Sequence, residues 1–331
     1  MSGSVLHLLG TLEAHNKRVT CLAMSADDTT LVSGSRDKSL VMWDLEQQEP
    51  EHPGMAQRSL LGHFHFVEDV VLTKDDRFAL SASWDSTLRM WDLESGECRQ
   101  TFTGHSGDVT CVDICEEEAE GKVIYKVISG GRDKKVILWN VEGKVVSEKP
   151  AHEDWVTAVK HTSIPEKEGE FVITASWDRT LKYYQLPTEG NTLTEEVVIA
   201  KAPSFINCIS VAPNGSLVAV GCKDGSVVIY SLPDNSVHCE FNVGAEVNSL
   251  EFSPMKYWIA VGTTNGMRIV DIDNAKQPLY DSAHHEFAYN DEGVSVQIPV
   301  HAIRFSHDGH RLFAGGDDGR VFVFDTNMDT N

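Results

Sequence analysis

Four residue types able to do chemistry recur together along this chain. His15, Ser33, Asp37 and Trp43 form one set. His63, Ser81, Asp85 and Trp91 form a second, and His105, Ser129, Asp133 and Trp139 a third. His152, Thr174, Asp178 and Tyr184 make a fourth. A His, an Asp and a Ser in one cluster is the inventory of a nucleophilic hydrolase. Four separate copies argue for scaffolding instead. In a sheet buried on both faces, the N–H groups of His and Trp need acceptors, and Ser, Thr and Asp supply them. Each such bond contributes about 1 kcal/mol net, whereas an orphaned partner costs about 1–3 kcal/mol. A structural relay is therefore expected, with no catalytic residue and no enzyme activity.

The sets must be held by strands. Leu31 to Leu45 reads as two short strands joined by the turn Arg36-Asp37-Lys38. The pattern returns at Leu80–Leu93, Val127–Val141 and Ile173–Leu186, and more weakly at Val218–Leu232, Ile259–Ile272 and Leu312–Asp325. The turn acids or their stand-ins are Asp37, Asp85, Asp133, Asp178, Asp224, Asn265 and Asp318, spaced 48, 48, 45, 46, 41 and 53 residues apart. Seven copies at a near-constant period mark a repeat fold.

The sets resemble the hydrogen-bond tetrad of WD repeats, with Trp43-Asp44, Trp91-Asp92 and Trp139-Asn140 as the name-giving dipeptides and Gly62-His63 and Gly104-His105 as repeat openings. The resemblance implies an all-β, seven-bladed WD-repeat propeller filling residues 1–331 as a single domain. The expected repeats are 13–46, 61–94, 103–142, 150–187, 197–233, 240–273 and 299–325. The last has three strands, so residues 5–12 are expected to supply its outer strand and close the ring.

Composition narrows the function. No run approaches a membrane span, and the first residues lack the basic region of a signal peptide. Membrane insertion is not expected. Seven cysteines without a paired framework suggest a reducing, cytoplasmic setting. Cys111 and Cys115 lack a matching second pair, and His284-His285 lack a further spaced ligand. Neither a metal nor a cofactor is expected. The net charge of −22 disfavours indiscriminate binding to nucleic acid or acidic membranes. Three polar segments interrupt the repeat: Glu46–Gln57, the acidic Glu116–Gly121 and the long Asn274–Pro299.

The residues flanking the turn acids carry the interaction signal. Arg36, Trp84, Arg132 and Trp177 precede the acid in the first four copies. Lys38, Lys134 and Arg179 follow it. Arg18, Phe66 and Trp155 each lie three residues after a repeat His, and Asp108 breaks that set. Tight turns on one face would align these residues in a ring. Arg and Trp are the types enriched where binding energy concentrates, so Phe66, Trp84, Arg132, Lys134, Trp155, Trp177 and Arg179 are expected to form a protein-binding face.

A closer resemblance covers essentially the whole chain. Ser35 to Trp43, Gly62 to Trp91, His152-Glu153-Asp154-Trp155-Val156 and Phe252-Ser253-Pro254-Met255-Lys256-Tyr257-Trp258 are similar to the receptor for activated C kinase family. That resemblance implies a non-enzymatic, cytoplasmic and partly ribosome-bound scaffold. Its implied partners are 18S rRNA and proteins of the small ribosomal subunit, together with protein kinase C and other signalling proteins; a homodimer stays open. The family's rRNA-contacting Arg-x-Lys matches Arg36 and Lys38, and a second basic position matches Arg58, while the next expected Arg is Leu61. Lys17 and Arg18 are expected to extend the basic patch. The alternative is a ribosome-free interaction propeller such as a G-protein β-like subunit. That relative carries an N-terminal coiled-coil helix, and here fourteen residues precede His15.

Overall fold

The second and third strands of each repeat are short, nearly continuous apolar runs. Such runs suit strands covered on both faces. In the first repeat Thr30–Ser35 and Ser39–Asp44 are buried almost throughout. The outermost strands, such as Val237–Asn242, expose alternate residues. In the computed structural model, residues 6–46, 53–119, 122–187, 193–275, 278–282 and 297–326 are described. They form seven four-stranded antiparallel sheets. Val5, residues 47–52 of the 46–57 link, the tip of the acidic hairpin, and His284-His285 with Tyr289 to Gly293 lie outside the described residues. Among the described residues no helix is long and apolar enough to cross a membrane.

Six sheets are consecutive in sequence, running outward from inner strands Val19–Met24, Val67–Leu72, Val109–Ala119, Val156–Ser163, Ile206–Val211 and Val247–Phe252. These are blades 1 to 6. Blade 7 takes Val300–Phe305, Arg311–Gly316 and Arg320–Asp325 from the end of the chain and His7–Glu13 from its start. His7 pairs with Asp325 and Glu13 with Arg320, so the N-terminal strand closes the ring.

The core is divided between the blades. Seven apolar clusters each span one interface between neighbouring blades. Leu12, Val19, Trp43, Phe313 and Val323 share the cluster that joins blade 7 to blade 1. Close approach there needs Gly315, where a Cβ would stand 2.7 Å from Val19 Cγ1. Polar contacts seal the same interface. Asp28 accepts from the backbone N–H of His307 at 2.7 Å and of Asp308 at 3.0 Å, and Arg18 pairs with Asp317.

The turn between second and third strands has one backbone signature. The residue after the turn acid has a left-handed φ: Lys38 +77°, Ser86 +67°, Lys134 +69°, Arg179 +71°, Gly225 +86°, Gly266 +104° and Gly319 +88°. Glycine adopts this conformation without strain, whereas other residues lose roughly 1–2 kcal/mol. The later repeats therefore use the relaxed solution, and the first four hold a side chain there at a cost.

Candidate interaction face

In blade 1 the His15 ring bonds Asp37 Oδ2 at 2.9 Å and Ser33 Oγ at 2.8 Å, and Trp43 Nε1 donates to Ser33 Oγ at 2.8 Å. In blade 2 His63 bonds Asp85 and Ser81, each at 2.7 Å, and Trp91 donates to Ser81 at 2.8 Å. His105, Ser129, Asp133 and Trp139 repeat the geometry at 2.8–2.9 Å. Blade 4 departs at its last member. His152 bonds Asp178 at 3.0 Å and Thr174 at 2.8 Å, but the Tyr184 hydroxyl donates to the Ala151 carbonyl at 3.3 Å. A phenol carries its donor at the far end of the ring, whereas indole carries it on the side. These serines are clamped between His and Trp and are fully buried, so they present no open nucleophile.

The turn acids of blades 1 to 4 are held ionised. Burial pushes Asp37, Asp85 and Asp133 up, but hydrogen bonds from their histidines and neighbouring groups outweigh it, and all three carboxyls fall below their ordinary range. Asp178 reaches about 2, the bonds from Thr180 and the Glu153 N–H overcoming burial.

The residues around these turns separate into two sets. Those before the acid point to the ring axis. Arg36 lies over Phe66 at 5.1 Å and Trp84 at 5.5 Å from the ring centroids. The Arg132 guanidinium sits between Trp84 at 3.8 Å and Trp155 at 4.0 Å. Trp155 stacks on Trp177 at 4.4 Å, which meets Phe205 at 5.8 Å and lies under Lys223 at 5.3 Å. This ladder of alternating rings and cations crosses blades 1 to 5 at the mouth of a central channel of about 750 Å³. Asp108, which interrupts the aromatic series in sequence, anchors Arg132 through a 3.0 Å ion pair.

The residues after the acid point outward. Lys38, Lys134 and Arg179 are exposed, and Lys134 Nζ donates to the Glu153 carbonyl at 2.8 Å. The seven-membered partner face read from sequence is thus an inner ladder of Phe66, Trp84, Arg132, Trp155 and Trp177, with Lys134 and Arg179 on an outer rim.

The single basic patch of Arg36, Lys38, Lys17, Arg18 and Arg58 also needs correction. Lys17 and Lys38 are exposed. Arg18 turns to Asp317, and Arg36 turns toward Glu68, with Nε 3.7 Å from Oε1. Arg58 lies on the outer strand Met55–Leu61 and donates to the Glu94 carbonyl of blade 2 at 2.7 Å. That carbonyl belongs to the loop before Cys98–Thr103, at the opposite end of the blade from Lys38. The left-handed turn is the physical reason for the Arg36–Lys38 divergence: it swings the chain so that residues two apart leave on opposite sides of the acid.

Sequence reasoning missed Phe205 and Glu68. Phe205 precedes the inner-strand Ile206 as Phe66 precedes Val67 and Trp155 precedes Val156, a register that was readable. Glu68, inside Val-Glu-Asp-Val, reads as an ordinary solvated acid. Its Oε1 is instead buried without a hydrogen-bond partner, as are Arg36 Nε, Trp84 Nε1 and Arg132 Nε around it. All seven cysteines are free, and no metal-ligating cluster occurs among the described residues.

Comparison with known proteins adds the family. Residues 6–44, 54–92 and 96–140 match the model described as WD domain, G-beta repeat. Residues 133–330 match that of the RSE1/DDB1/CPSF1 second beta-propeller. The small ribosomal subunit protein RACK1 of Candida albicans is 39% identical over 97% of this chain and 96% of its own length. The Caenorhabditis elegans protein of that name is 33% identical over 98% and 97%. The chain belongs to the receptor for activated C kinase family of WD-repeat proteins. A third relative, RACK1y of Oryza sativa, is 33% identical over 96% of the chain.

Proposed function

We propose that this member of the receptor for activated C kinase family is a cytoplasmic scaffold that docks on the small ribosomal subunit through blade 1 and recruits signalling proteins, protein kinase C among them, at the channel mouth. It acts by binding rather than by catalysis. The relatives named above carry the small ribosomal subunit in their names. The observation that carries the docking site is Lys38, an exposed cation kept at φ +77° where three other blades use glycine. Strain of this kind points to a functional demand. Lys17, also exposed on blade 1, extends a basic edge suited to phosphate.

Contacts to RNA phosphates fix position without reading sequence. The remaining acidic charge acts weakly there, because screening limits it to about 8 Å at physiological salt. Lys17→Glu and Lys38→Glu together should abolish co-sedimentation with small subunits while the melting temperature holds. Binding by the parent should fall steeply with salt through counterion release. A folded double variant that still sediments with wild-type salt dependence would place the docking surface elsewhere. For the recruiting face, Trp84→Ala, Trp155→Ala and Trp177→Ala should each lose protein partners captured by the parent, since aromatic anchors commonly cost about 2 kcal/mol or more.

A further inference from the structure

Seven inner strands surround the channel, and in five of them the second residue bonds the next blade. Thr20 Oγ1 donates to the Val67 carbonyl at 2.6 Å, and Thr110 Oγ1 donates to that of Val156. Thr157 donates to Ile206 at 2.8 Å, Asn207 to Val247 at 3.0 Å and Asn248 to Val300 at 2.9 Å. Five blades thus latch to the next through a hydroxyl or amide donor. Blade 7 has His301 at this position, bonded to Asp317 at 3.1 Å. Blade 2 has Glu68, and the carbonyl that the same geometry would offer it is that of Val109. A carboxylate cannot donate to a carbonyl.

The Glu68 carboxyl faces a cationic site instead. Its Oε1 lies 3.7 Å from Arg36 Nε, too far for a hydrogen bond, and both atoms are buried without hydrogen-bond partners. The charges acting on it are Arg36, Arg132 and Arg18 from blades 1 and 3, and Asp69 beside it. Arg132 is fixed by two tryptophan rings and Asp108. The cations are therefore pre-placed, and the carboxylate among them is loosely held.

We propose that Glu68 is a built-in occupant of a carboxylate site, and that an acidic side chain of a protein partner takes its place between Arg36 and Arg132. This rests on the reading of the channel mouth as the partner-binding face. Charge complementarity selects the occupant: the mouth already holds one carboxylate against these arginines. Once displaced, Glu68 loses its cations while Asp69 remains. It then takes up a proton from solvent, and its new O–H can reach toward Val109 as Thr20 reaches Val67. Burial already lifts the free carboxyl to about 7 against the pull of the three arginines. Acidic ligands should accordingly bind more tightly as pH falls from 8 to 6.

The test is calorimetric titration with an acetylated peptide alternating glycine and glutamate, and with its glutamine counterpart. The parent should prefer the glutamate peptide, with about tenfold tighter binding at pH 6 than at pH 8 and uptake of about one proton at pH 8. Glu68→Gln should bind it about tenfold more tightly than the parent at pH 8, lose the pH dependence and melt at a higher temperature. Glu68→Thr, which installs the donor used by three other blades, should behave alike and guards against misfolding of the first variant. Unchanged affinity and pH profile in both folded variants would overturn the proposal, as would weaker binding. If the tryptophan variants lose partners while neither peptide binds the parent, the partner face stands and its acid site does not.

Discussion

Blades 1 to 4 and blades 5 and 6 solve the same packing problem with opposite chemistry. In blade 1 the buried positions are His15, Ser33 and Trp43, joined by hydrogen bonds. The corresponding places in blade 6 are Val243, Val261 and Val270, all buried in one apolar cluster. Blade 5 places Ala202, Val220 and Tyr230 there. The turn acid survives in blade 5 with only part of its work: Asp224 Oδ1 accepts the Ser226 N–H at 3.0 Å, as Asp37 accepts that of Ser39. The acid therefore has a local job, capping the turn, and a second job that exists only where a His is present. A fully satisfied polar network and an apolar core of similar shape can both be stable; a half-satisfied network is worse than either.

The largest break in this comparison should come from the shared serine. Ser129→Val converts one position of blade 3 toward the blade 6 solution but leaves the Trp139 N–H and the His105 Nε2 buried without their partner. Each orphaned polar group costs about 1–3 kcal/mol. Chemical denaturation should show a loss above that of Val261→Ala, which trims an apolar blade without orphaning a polar group. Equal losses would mean that the relay contributes no more than shape.

Asp85→Ala should come next, at about 1–3 kcal/mol, because His63 loses its acceptor. Asp224→Ala removes only the turn cap and should cost less, about 0.5–1.5 kcal/mol. Melting of the two variants side by side checks the ordering.

Acid should separate the blades by the same logic. Asp37, Asp85, Asp133 and Asp178 have depressed folded-state values, so their stabilisation is present above the unfolded carboxylate value near 4 and is lost as pH falls toward 2. Stability should fall steeply below about pH 4, and hydrogen exchange should open blades 1 to 4 before blades 5 and 6. Glu68 works in the opposite sense. Its raised value makes the ionised form a cost that grows as pH rises from about 4.5 through 7, and Glu68→Gln should remove that slope.

The smallest effect should come from the turns. Lys38→Gly relieves a strained left-handed residue but frees the unfolded chain, so the net gain should be about 1 kcal/mol or less. The same variant should weaken small-subunit binding. A gain in stability without loss of binding would detach the strain from function.

Much of this was legible because it is periodic. The tetrads, the turn acids and the closing strand follow from repeated spacing that local chemistry explains. Apolar stand-ins for the tetrad left no such mark, which is why blades 5 and 6 read only as weaker copies. Tyr184 was misread because aromatic character is visible in sequence, whereas the direction of its donor is not.

The sequence by itself determined that seven hairpins would form, which residues they would bury, and that a turn acid, or Asn265 in blade 6, would sit at one end of every blade. Tertiary structure decided what those hairpins do together. Arg36, Glu68, Arg132 and His301 meet at one channel mouth although up to 265 residues separate them, and no local spacing encodes that meeting. It arises because His7–Glu13 pairs with Arg320–Asp325 and bends seven sheets into a closed ring, so that side chains equivalent by repeat become neighbours across the axis.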